Sequence, residues 1–242
     1  EMCIRDSART GQALWRFQMS YGGVNAGVVI HEDSIIAVHG KENVDSTIIG
    51  RMVAIKKPEK LPSVGEDILI LDNTHEIWRN NGIEAFTSTP VYREGRVYTT
   101  IKRGELICLD ANTGEEHWVQ KLAPDQIHAS PTWADGRLYV PMFNGKVFVV
   151  EDEGDRAAVL SEMDLGSACL AAPSVAHGRV FVQSKKKLHC FGAGAPAPAF
   201  VVKPKEELKH LLVEQASTPV VSLQVVPAEF FPDVEFSSFS LP

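Results

Sequence analysis

Apolar residues fall in short runs along most of the chain. Gly27-Val28-Val29, Ile35-Ile36-Ala37-Val38 and Met52-Val53-Ala54-Ile55 are early examples. Leu106-Ile107-Cys108-Leu109 and Val147-Phe148-Val149-Val150 are later ones. The runs are rich in β-branched and aromatic residues and are punctuated by Gly and Asp turns, which predicts strands joined by hairpins. A helical solenoid would need long stretches of apolar spacing near 3.6, and the part of the chain with these runs has none. Lys205–Gln215, with Leu208, Leu211 and Leu212 on one side, is the one stretch that reads as a short helix.

The runs repeat as units. Ser88-Thr89-Pro90-Val91 with Gly95-Arg96-Val97-Tyr98 lines up with Ala129-Ser130-Pro131-Thr132 and Gly136-Arg137-Leu138-Tyr139, and again with Ala171-Ala172-Pro173-Ser174 and Gly178-Arg179-Val180-Phe181. Pro90, Pro131 and Pro173 stand 41 and 42 positions apart. A second half follows in each unit: Gly104–Leu109, Gly145–Val150 and Lys187–Phe191. About four short strands in some 40 residues is the size of one propeller blade. A more divergent unit precedes these, with strands at Gly27–Val29, Ile35–Val38, Gly50–Ile55 and His75–Trp78. Its extra residues, Lys41–Thr47 and Lys57–Asp67, read as surface insertions, which cost little loop entropy. Gln12–Gln18 reads as the outer strand of a blade before that one.

Leu109-Asp110-Ala111-Asn112-Thr113-Gly114-Glu115-Glu116-His117-Trp118 resembles the repeat signature of the pyrroloquinoline-quinone (PQQ) propeller family, in particular its BamB-like branch. That signature is Asp, two residues, Thr-Gly, three residues, Trp; Thr10-Gly11 and Trp15 repeat its second half. The resemblance implies an all-β fold, a partial β-propeller of about four four-stranded antiparallel blades. It gives Thr10, Gly11, Trp15, Trp78, Asp110, Thr113, Gly114 and Trp118 structural roles: Thr-Gly turns between third and fourth strands, tryptophans flat between blades, and an Asp that accepts from nearby backbone N–H groups. In the third unit Glu151 takes the place of Asp110, Gly154-Asp155 that of Thr113-Gly114, and Val159 that of Trp118.

The resemblance spans residues 8–192. Residues 1–7 are expected to be a sequencing-adaptor artefact, from the string Met2-Cys3-Ile4-Arg5-Asp6-Ser7. Residues 193–215 read as a linker with room for one short helix. Residues 216–242, from Val221-Ser222-Leu223-Gln224-Val225-Val226, resemble the truncated start of a bacterial immunoglobulin-like domain or a disordered tail. The last blade stops after three strands.

Charge and chemistry narrow the function classes. The net charge is −7 and the only Lys or Arg block is Lys185-Lys186-Lys187, so nucleic acid is not expected as a partner. No membrane-spanning run is visible in the sequence. Cys108, Cys169 and Cys190 show no CxxC spacing; Cys108 and Cys190 share a repeat position and read as inert core residues. There is no G-x-S-x-G elbow, P-loop or H-E-x-x-H, and His117 and His128 carry no metal spacing. The acidic turn Glu151–Asp155 lacks the alternation of a calcium loop.

No catalytic or metal-binding residue is therefore assigned, and no residue is assigned to a cofactor. The sequence supports a non-catalytic scaffold for protein or ligand binding in an exported bacterial protein, periplasmic or extracellular by the family resemblance. One alternative is part of a quinoprotein dehydrogenase, which would require PQQ with calcium. By the family's pattern such enzymes carry an adjacent-cysteine disulfide and a catalytic aspartate, and this sequence has no adjacent cysteines. The other alternative is an envelope protein-assembly factor.

Overall fold

The computed structural model describes residues 3–192 apart from 8, 64 and 127. The expectations placed on 193–242 lie outside the described residues. Among the described residues eighteen strands form five sheets. Blade I comprises β3 (Val29–His31), β4 (Ser34–His39), β5 (Arg51–Lys56) and β7 (Glu76–Asn81). Blade II comprises β8 (Val91–Arg93), β9 (Arg96–Ile101), β10 (Glu105–Asp110) and β11 (Glu116–Lys121). Blade III comprises β12 (Thr132–Ala134), β13 (Arg137–Pro141), β14 (Lys146–Asp152) and β15 (Ala157–Asp164). Blade IV has three strands, β16 (Ser174–Ala176), β17 (Arg179–Gln183) and β18 (Leu188–Gly192). Each blade is an antiparallel meander. The partial propeller expected from the repeats is the observed fold.

The core lies between the blades rather than within any one of them. In β9, Val97 and Ile101 face blade I while Tyr98 faces blade III; in β10, Ile107 and Leu109 face blade I while Leu106 and Cys108 face blade III. The two-residue period sends alternate side chains to opposite sides. Both sides are covered, so the middle strands carry runs of buried residues on both sides, mostly apolar, instead of a strict apolar–polar alternation. Cys108 pairs across from Tyr98, and Cys190 pairs across from Phe181 in the matching place of blade IV. Cys108, Cys169 and Cys190 are all buried and free, and burial pushes the Cys108 thiol up to about 12.

The remaining sheet contains an arrangement that hydrophobic patterning did not predict. β1 (Cys3–Asp6) pairs antiparallel with β2 (Ala13–Phe17), and β2 pairs in parallel with β6 (Leu69–Leu71). β6 follows the 57–67 insertion, so the long connection between the third and fourth strands of blade I reaches back to the preceding sheet. Leu71 is buried there with Trp15, Phe17 and Met19 against Ile35 and Val53 of blade I.

The antiparallel meander divides the loops between two faces. Turns between first and second, and between third and fourth, strands lie on one face. Turns between second and third strands, and the connections from one blade to the next, lie on the other.

Candidate functional site

The signature residues build the joints between blades. Asp110 Oδ1 accepts from the N–H groups of Asn112 (2.8 Å) and Thr113 (2.9 Å), and Thr113 Oγ1 accepts from the N–H of Glu115 (3.2 Å). Burial works against the charge of Asp110, but these bonds and nearby His117 hold its carboxyl below the ordinary value. The hairpin before β2 has the same form: Ser7 Oγ accepts from Arg9 and Thr10, and Thr10 Oγ1 from Gln12. Gly11 and Gly114 both adopt the left-handed region, φ 70° and 74°. Gly114 has a second constraint. A Cβ there would lie 2.5 Å from the ring of Trp78, which packs flat on the turn.

Trp78 and Trp118 occupy matching places in successive blades. Trp78 Nε1 donates to the carbonyl of Ala111 in blade II at 2.9 Å. Trp118 Nε1 donates at the same distance to the Asp152 carboxylate of blade III. That carboxylate also accepts from Tyr98 Oη (2.7 Å), Arg96 (3.0 Å) and the N–H of Gly154 (2.8 Å). Burial opposes its charge, but the Tyr98, Gly154 and Trp118 bonds and the Arg96 charge outweigh it and hold the carboxyl below the ordinary range. Trp15 is buried in the cluster between β2 and blade I. His117 lies 3.8 Å from Asp110 and is half-buried. Repeat logic set Glu151 against Asp110 and did not find Asp152, Arg96 or Tyr98, which lie 54 to 56 positions apart.

On the inner side, the residues before the repeat prolines link the first strands. Thr89 Oγ1 accepts from the N–H of Gly27 (2.8 Å), and Ser130 Oγ accepts from the N–H of Thr89 (2.9 Å). This is the physical content of the Ser/Thr-Pro repeat.

The face of second-to-third turns carries a band of cations and rings that crosses all four blades. Lys41 Nζ lies over the Phe86 ring at 5.4 Å, and Lys102 Nζ lies over the same ring at 5.7 Å. Thr87, next in the chain, hydrogen-bonds His128 at 3.2 Å; His128 stands 6.1 Å from Phe143; and Lys185 Nζ lies over Phe143 at 5.9 Å. Such cation–ring contacts contribute about 0.5–1 kcal/mol each when exposed. Lys102, Phe143 and Lys185 each directly follow the residue that ends or extends a second strand. The band is held from beneath by backbone. The carbonyl of Gly104 accepts from Leu122 and Ala123 of the next connection, and a Cβ at Gly104 would fall 2.1 Å from the Ala123 oxygen.

The first insertion adjoins this band. Asp45 accepts from Arg51, Arg79 (2.7 Å) and Asn73 (3.3 Å), which pins the loop to β5 and β7. Burial raises the Asp45 carboxyl, but Arg51 and Arg79 prevail and bring it to about 2. His39 at the end of β4 is fully buried, and burial lowers its imidazole to about 4, so it is neutral at physiological pH. Beyond the pinned loop Tyr21, Ile48 and Ile49 are exposed at 69%, 53% and 46%. The opposite face has a shallow cleft of about 180 Å³ beside His31, Asp33, Lys56 and Asn112. There His31 spans two blades, bonding Tyr92 at 3.0 Å and Asn112 at 2.9 Å, so its ring is committed to the joint.

A calcium-bound quinone needs several carboxylate and carbonyl oxygens around one point. Among the described residues no three His, Cys, Asp or Glu side chains converge in this way. Asp45 and Asp152 are each turned into arginines. The described residues do not fit that group. Among them, no helix is long and apolar enough to cross a membrane.

Residues 65–162 match the family model described as outer membrane protein assembly factor BamB. No curated protein matches the chain. Among solved structures, BamB from Moraxella catarrhalis superposes with a TM-score of 0.54 at 13% identity, covering 74% of this chain and 47% of BamB. The chain thus spans about half the length of that protein. The computationally designed protein Ika4 gives a TM-score of 0.53 at 11% identity, covering 74% of this chain and 97% of Ika4.

Proposed function

We propose that this chain, whose repeats are those of the PQQ-like β-propeller family, is a non-catalytic scaffold that binds a protein or surface ligand in an exported bacterial protein. The observation that carries the reading is the band from Lys41 to Lys185. It is a row of half-exposed rings and ammonium groups, supplied by four blades and fixed by backbone bonds and inter-blade tryptophans. Aromatic rings beside flexible cations give contact area and charge without needing a reacting group. The matching family description names an assembly factor of the outer membrane. That supports a place in the cell envelope, periplasmic or extracellular, and a protein as the partner.

A photo-cross-linking side chain at Asn144, beside Phe143, is expected to give saturable adducts in a bacterial envelope extract, whereas one at Asp135 on the opposite face is not. Equal adducts from both positions would remove the assigned face. The quinoprotein alternative has its own test. Oxidation of alcohols or aldoses by the chain supplied with PQQ and calcium would replace the scaffold reading with a dehydrogenase.

A further inference from the structure

We infer that the band binds an acidic, extended segment of a partner protein, with apolar residues at the end that meets blade I. The inference rests on the scaffold reading above and names the partner chemistry.

The first argument is charge. The chain as a whole carries a net charge of −7, yet the turns and connections on this face carry Lys41, Lys102, Arg103, Lys185, Lys186 and Lys187 against Glu42, Asp45, Glu84 and Asp125. Asp45 is taken by two arginines and Glu84 by Lys102. On the other face acidic residues, among them Glu32, Asp33, Asp135, Glu151 and Glu153, outnumber the cations that stand with them, such as Lys57, Lys60 and Arg137. Opposite signs on the two faces orient an approaching acidic chain toward the band.

The second argument is local geometry. An ammonium over a ring keeps donors on its outer side, where a carboxylate can approach, while the ring offers apolar contact beside it. Lys41 and Lys185 have no carboxylate in ion-pair distance among the described residues, so both remain available to a ligand. The contacts pass from one blade to the next: Lys41, Phe86 and Lys102, then His128 and Phe143, then Lys185. A row of cations and rings handed from blade to blade suits an extended chain of alternating acidic and apolar side chains, because a strand presents alternate residues to one side. At the blade I end, exposed Tyr21, Ile48 and Ile49 supply an apolar terminus beside Lys41, whose stem packs on Gly22.

The experiment uses the whole chain and labelled peptides of one length: alternating Glu and Phe or Leu, the same with Lys for Glu, and the same with Gln. Fluorescence anisotropy at low salt should show binding of the Glu peptide only, weakening steeply as salt is raised. The triple variant Lys41→Glu, Lys102→Glu, Lys185→Glu should weaken it roughly 10-fold or more. A control triple on the other face, Lys57→Glu, Lys60→Glu, Arg137→Glu, should change it less than about 2-fold. Phe86→Leu and Phe143→Leu should weaken it about 3-fold while leaving the salt dependence intact. Circular dichroism checks that each variant folds; a triple that unfolds is replaced by its single-site members.

Equal binding of the Lys peptide, or indifference to the band triple, would overturn the inference. So would heparin binding as tightly as the Glu peptide, anionic vesicles binding in its place, or salt-sensitive self-association that assigns the face to a second copy. If the Asn144 cross-link keeps its adducts when the band triple is present, the scaffold reading stands and the acidic-segment inference falls. If the adducts and the peptide binding are both absent, both fall.

Discussion

The joint between blades I and II and the joint between blades II and III use the same tryptophan in two different ways. At the first, Trp78 lies on Gly114 and gives its N–H to a backbone carbonyl, with apolar side chains from both blades around it. At the second, Trp118 gives its N–H to a carboxylate that also takes Tyr98, Arg96 and Gly154. The first joint depends on shape and on a turn that accepts only glycine. The second has a degenerate turn and depends instead on an acid whose every oxygen is used. A repeat protein can thus lose its motif in one unit and keep the joint, provided another polar group supplies the acceptor.

The largest expected effect tests what the two joints share. Trp78→Ala and Trp118→Ala should each cost about 3–5 kcal/mol in urea unfolding of the whole chain, since each removes a buried indole. A much smaller loss at either site would break the equivalence. Next comes the turn. Gly114→Ala should cost about 2–4 kcal/mol, because it adds a clash with Trp78 to the left-handed strain. Gly154→Ala, with φ 100° but open space around it, should cost only about 1–2 kcal/mol. Equal losses would show that the ring does not rest on Gly114.

Charge separates the joints more finely. Asp152→Asn should cost about 2–3 kcal/mol at neutral pH, because it leaves Arg96 without its carboxylate. The folded carboxyl is held below its unfolded value, so its contribution is present above about pH 4 and is lost as pH falls through the folded value. The difference in stability between wild type and Asp152→Asn should therefore shrink on acidification below about pH 4; a constant difference would refute the ionic account. Smallest is Thr113→Ala, which removes one exposed turn bond, at about 0.5–1 kcal/mol by thermal denaturation.

The repeat period and the Asp110–Trp118 string made the blades legible in the sequence, because a blade is a local meander and its signals sit within about 40 residues. The Asp152 cluster was not legible. Its members come from two blades, and the turn that carries it had lost the signature; only the recurrence of Arg96, Arg137 and Arg179 at one position hinted that an arginine is used there. The parallel pairing of Leu69–Leu71 with β2 escaped for a different reason: three apolar residues after an insertion carry no period that distinguishes pairing partners. The cation–ring band combines side chains from loops that are 15 to 45 positions apart, each ordinary by itself.

The buried thiols give this fold a set of internal clocks. Cys108 is sealed in the contact between blades II and III, and Cys169 in that between blades III and IV. A thiol with its acidity suppressed by burial reacts with an alkylating reagent only in moments when its seal opens. The labelling rates of the two cysteines therefore time the breathing of two neighbouring contacts separately, within one molecule and without any engineered cysteine. If blades part in sequence, the two rates differ; if the stack opens as a unit, they converge on one value.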